Sequence, residues 1–129
     1  MKRTNISSGT KWEEIAGYSR AVVNGNQIFV SGTTSVDEEN NIIAPGDIYG
    51  QTRYIFSKIE NVLKLAGSTL KDVVRTRMFV IDISLSEDVL KAHKEFFADI
   101  KPAATLVEVK GLIDENLLIE IEVDAIAGD

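Results

Sequence analysis

The chain has 129 residues, 44% hydrophobic and 26% charged, with two prolines, which is the size and composition of one ordinary globular domain spanning 1–129. The absence of cysteine excludes a disulfide framework, a thiolate metal site and a cysteine nucleophile. Fourteen basic against twenty acidic residues give a net charge of −6, which argues against nucleic acid or an anionic membrane surface as partner.

The first nineteen residues carry no apolar stretch of the signal-peptide kind and no run is long enough to span a membrane, so a cytoplasmic location is expected. This segment reads as flexible, with Trp12 packing it onto the body or onto a neighbouring subunit. Two short apolar runs, 21 to 23 and 27 to 31, flank Asn24-Gly25-Asn26, a strong signal for a hairpin. A third, weaker strand is expected over 41 to 44, closed by Pro45-Gly46.

From Asp47, a suitable N-cap, residues Ile48, Thr52, Ile55, Phe56, Ile59, Val62, Leu63 and Ala66 recur at the spacing of one helix face, and Gly67 supplies the stop. A β-branched strand follows over 73 to 83. Ser84 with Glu87 reads as a capping box opening a second helix through Val89, Ala92, His93, Phe96 and Phe97, which Pro102 ends. Two last strands, 104 to 109 and 117 to 127, complete an α+β domain of order βββαβαββ, with two helices on one face of a single sheet.

Strand alternation places Ile28, Val30, Val74, Met78, Val80, Val107, Val109, Ile119, Ile121 and Val123 under the helices. The opposite face then carries Phe29, Ser31, Arg75, Arg77, Phe79, Ile81, Leu106, Glu108, Leu118, Glu120, Glu122, Asp124 and Ile126, too apolar for open water and too charged for a dry core. Such a face fits a subunit interface with a polar cleft, in which Arg75 and Arg77 neutralise the carboxylate row. That row is a poor calcium or magnesium site, because alternate strand residues stand about 6 to 7 Å apart. His93, alone on its helix, reads as packing and not as a ligand.

Five stretches taken in order, GYSRAV with the hairpin into FVSGT, VVRTRMFVIDIS, EFF, PAATLVEV and IEIEVDAIA, resemble the Rid family of reactive intermediate deaminases, also called YjgF or endoribonuclease L-PSP. The resemblance implies a chorismate-mutase-like fold and a homotrimer with small-molecule clefts between subunits. It further implies hydrolysis of reactive 2-imino acids or enamines to 2-keto acids and ammonia, without a cofactor or metal. Tyr18, Ser31, Gly32 and Glu122 fall on the family's cleft positions, Glu122 either orienting or deprotonating an attacking water or pairing with Arg75 or Arg77, and Tyr18 either contacting the ligand or capping the cleft with its ring.

The resemblance also implies an arginine after Pro-Ala, where Ala104 stands, followed by Thr105 and by Leu106 at a small polar or cysteine position, with Leu90 in place of an asparagine. A guanidinium grips a carboxylate through two parallel bonds. Either another cation binds the substrate anion, Arg77 first with Arg75 and Arg20 behind it, or the ligand lacks that carboxylate. The alternatives to an enzyme of this class are a trimer that binds a small imino- or keto-acid-like metabolite without turnover, and an endoribonuclease, against which the charge counts.

Overall fold

The structure is a computed structural model, and it describes residues 2–128. One six-stranded sheet runs in the order β1-β2-β3-β6-β4-β5, made of β1 Arg3–Ile6, β2 Ala21–Asn24, β3 Gln27–Thr33, β4 Val73–Val80, β5 Ala103–Glu108 and β6 Ile119–Ile126. Three α-helices accompany it: α1 Lys11–Ala16, α2 Ile48–Leu65 and α3 Ser86–Phe97. All neighbouring strands are antiparallel except β4 and β5, which α3 joins as a parallel crossover.

Local signals set the most regular parts. Asn24 pairs with Gln27, leaving Gly25 and Asn26 as the turn, and only Gly25 has a positive φ, 64°, as a type II′ hairpin requires at its first central position. Asp47 caps α2 by accepting from the Gly50 backbone N–H at 3.0 Å, and Gly67, in the left-handed region at φ 81°, follows its last turn. The helix buries Ile48, Thr52, Ile55, Phe56, Ile59 and Leu63 against Ile28, Met78, Val80, Ile119, Ile121 and Val123 of the sheet.

Between α2 and α3 the aromatic contacts are close. The Phe56 ring meets Phe97 edge-on at 5.1 Å and His93 at 5.7 Å, while His93 Nε2 lies 3.0 Å from Thr76 Oγ1 of β4. Burial pushes the His93 imidazole below its ordinary value, which keeps it neutral. Gln51, fully buried, ties three segments together. Its Nε2 donates to the Ala44 and Asn116 carbonyls at 3.3 and 3.1 Å, and its Oε1 accepts from the Leu118 N–H at 2.9 Å.

Several expectations need correction. Residues 41 to 44 form no strand of the sheet, since Ile42 makes only an isolated bridge with Val36. The edge position goes instead to Arg3–Ile6, in the segment read as flexible. Trp12 is half exposed on α1, and the residue that segment buries is Glu13. Ser84 is not a helix cap: Asp82 accepts from its N–H at 3.0 Å within a 3-10 turn, and α3 starts at Ser86.

Two strand phases also differ. An irregularity between Val73 and Arg75 in the β4–β6 pairing buries Val73 and leaves Val74 exposed. On β5, Leu106 pairs with Met78 and packs on the core, whereas Val107 pairs with Phe79 and is exposed, the reverse of the alternation read from the sequence.

Candidate active site

The site is built around a bulge in β3. Val30 pairs with Val123 and Thr33 with Ile121, so β3 spends one residue more than β6 across this interval, and Ser31-Gly32 stand opposite Glu122. Local bonds fix the bulge. The Ser31 N–H donates to the Arg20 carbonyl at 3.0 Å, the Ser31 hydroxyl to the Ser19 carbonyl at 2.7 Å, and the Thr33 hydroxyl to the Ser31 carbonyl at 2.8 Å.

Glycine at 32 permits a close approach. A Cβ there would fall 2.0 Å from Oε2 of Glu120, so the carboxylate of Glu120 rests where any other residue would place its side chain. Burial pushes the Glu120 carboxyl above the usual carboxylate value; the nearby Arg20 charge opposes that shift and Glu122 adds to it. Arg20 donates from Nη2 to the Gly32 carbonyl at 2.6 Å, and its Nε is buried without a hydrogen-bond partner. Desolvation pulls the Arg20 guanidinium below its ordinary value, with Tyr18, Glu13 and Glu120 working against it.

Tyr18 follows Gly17, which ends α1 in the left-handed conformation at φ 74°. Its ring is 41% exposed, at the rim of an open groove of about 450 Å³ that Asn5, Ser7, Thr10, Glu13 and Glu14 also line. Burial disfavours the Glu13 charge, yet bonds from Ser8, Ser7 and Thr10 prevail and hold its carboxyl below the ordinary value. On the helix side of the bulge, Lys58 of α2 donates to the Thr34 and Val36 carbonyls at 2.9 and 2.7 Å. Desolvation first, then the Arg20 charge, lowers its ammonium to about 8.

The acidic row of β6 is thus divided. Glu122 and Asp124 share Nη1 of Arg77, at 3.3 and 3.1 Å, on the open face of the sheet. These groups are partly exposed, and such a pair stabilises by at most about 1 kcal/mol. Glu120 alone turns to the bulge. The match of the terminal strand to the family's put Glu122 in the cleft; alternation gives both glutamates the same face, and the carboxylate that meets Gly32 at the bulge is that of Glu120.

Among the described residues no group of three or more His, Cys, Asp or Glu side chains is placed to hold a metal ion. No described helix is long and apolar enough to cross a membrane.

The family model described as Endoribonuclease L-PSP matches residues 9–127. The chain belongs to the endoribonuclease L-PSP (Rid/YjgF) family. The L-PSP fold is shared with the crystal structure of a YjgF/YER057c/UK114 family member from Mycobacterium tuberculosis, 44% identical, with a TM-score of 0.88 over 98% of this chain and 100% of that one. A RutC family protein of Sulfurisphaera tokodaii is 38% identical over 84% of this chain and 86% of its own. A protein of Acinetobacter baylyi named 3-aminoacrylate deaminase RutC is 35% identical over 83% and 84%.

In this L-PSP family chain, β5 stands apart from the bulge. The order β3-β6-β4-β5 puts three inter-strand spacings between them, about 14 Å. Ala104, paired with Thr76, is exposed; Thr105, paired with Arg77, is exposed on the open face; Leu106 is half-buried against the core. Leu90 on α3 is half exposed. A single subunit therefore brings Ser31, Gly32, Glu120 and Arg20 together, with Glu122 opposite the bulge and Tyr18 close enough to be felt at Arg20, and leaves Arg77 one strand and the three β5 positions two strands beyond β6.

Proposed function

We propose that the protein is a hydrolytic deaminase of small 2-imino acids or their enamine tautomers, working in clefts between the subunits of a cytoplasmic homotrimer. The observation that carries this reading is the desolvated Glu120 carboxyl lying against Gly32 beside the Ser31 bulge. A carboxylate with a raised proton affinity is suited to move a proton at neutral pH. It takes a proton from water as the oxygen bonds to the imine carbon and passes it to nitrogen, giving a carbinolamine; it then carries the hydroxyl proton to the same nitrogen as the C–N bond breaks, leaving a 2-keto acid and ammonia. The deaminase name of the Acinetobacter baylyi relative supports the substrate class.

Support for the trimer comes from the open face, where Phe29, Val107 and Ile126 are 45%, 40% and 44% exposed. A neighbouring subunit that covers these groups and sets its β5 edge beside the bulge would close the site, at the distance one chain alone cannot bridge.

In the test, 2-iminobutanoate is generated in situ and ammonia release is followed with and without protein. Acceleration is expected; its absence across several imino acids ends the reading. The apolar Leu106 and the short Ala104 favour a second reading, a trimer that binds a metabolite without turnover. It predicts thermal stabilisation by 2-keto acids and no ammonia release. RNA cleavage is disfavoured by the charge of −6.

A further inference from the structure

Arg20, Arg75 and Arg77 lie on or beside the central strands, and their donors are committed differently. Arg77 already shares Nη1 between Glu122 and Asp124, so an incoming anion would have to compete with two carboxylates. Arg75 lies on the open face opposite Asp124 in the β4–β6 register, away from the bulge. Arg20 is different. It touches the bulge through the Gly32 carbonyl, its Nε–H is buried without an acceptor, and among the described residues no carboxylate stands within ion-pair distance of it.

A buried, unpaired donor on a charged group is costly, and structures keep one where something else completes it. Lys58 sharpens the point. It feels the Arg20 charge, and its own donors go to the neutral Thr34 and Val36 carbonyls. Two cations thus meet around Ser31 to Thr34 without a carboxylate bonded to either, in a chain whose net charge is −6. Part of Arg20 remains open to solvent, so this edge is reachable.

We infer that the Arg20 guanidinium receives the carboxylate of the small molecule bound at the Ser31-Gly32 bulge. The ligand carboxylate bonds Nη1, the accessible end of the guanidinium, and offsets the charge that the buried Nε leaves without an acceptor; its reactive carbon then lies on the Glu120 side of Gly32. This inference rests on the small-molecule cleft proposed above, but not on turnover.

The probe is pyruvate, with pyruvamide as its uncharged counterpart, added to the full-length wild-type protein. The arginine Nε–Hε resonances are followed by NMR, and affinity is measured by calorimetry for wild type, Arg20→Gln and, as a surface control, Arg53→Gln. The expected result is saturable pyruvate binding that moves the Arg20 Nε–Hε signal, no comparable effect of pyruvamide, and a loss of roughly tenfold to a hundredfold in affinity in Arg20→Gln only. Movement of the Arg75 or Arg77 signal in place of Arg20, equal binding of pyruvamide, or no pyruvate binding overturns the inference. Because the wild-type resonances decide the matter, a poorly folding Arg20→Gln does not leave it open. Imine hydrolysis unchanged by Arg20→Gln would sink this inference and spare the deaminase; pyruvate binding at Arg20 without hydrolysis would do the opposite.

Discussion

At the scale of single residues, Glu120 and Lys58 are two side chains that burial moves away from their ordinary chemistry. Glu120 has a raised pKa, so its contribution to stability is complete below the unfolded value and is lost as pH rises through the folded one. Glu120→Gln should therefore raise the melting temperature at neutral pH, leave it nearly unchanged near pH 4.5, and lower imine hydrolysis by roughly 10²–10⁴-fold. Melting curves at the two pH values beside ammonia assays check both halves. Lys58 has the opposite sign, because its folded form releases a proton that the unfolded chain keeps. Between about 8 and 10.5 its contribution makes stability rise with pH, and the NMR titration of its side-chain methylene should show a midpoint near 8.

At the scale of elements, what could be read from the sequence was whatever local chemistry decides. The Asn24 to Gln27 hairpin, the Asp47 cap, the apolar face of α2 and the Gly67 stop all rest on residues within a few positions of one another. Pairing between distant segments was not legible in the same way. The Val73/Arg75 irregularity reversed the environment of Val74, the parallel register with β4 turned Leu106 inward, and the bulge in β3 gave Gly32 to Glu120. The bulge offers a direct test. Gly32→Ala introduces a methyl where Glu120 Oε2 lies, and since the obstacle is the end of a flexible side chain, the carboxylate should swing aside at a cost of about 1 kcal/mol or less. Activity should fall as far as in Glu120→Gln, and the double variant should fall no further.

At the scale of the whole molecule, the sheet's two faces have different fates. One is sealed by α2 and α3; the other presents Phe29, Val107 and Ile126 around a partly exposed ion pair. If subunits meet there, Phe29→Asp should shift the solution mass at micromolar concentration from three chains toward one, with hydrolysis lost in parallel; sedimentation equilibrium reads this. Gln51 lies on the sealed side, and its amide holds the Leu118 N–H two residues before Glu120. Gln51→Leu would strand that N–H at about 1–3 kcal/mol, and amide exchange at Leu118 should quicken while kcat drops more than KM rises. The chemistry on one side of this protein is therefore adjustable by a handle on the other, a place where substitutions far from any ligand can tune turnover without touching what the cleft recognises.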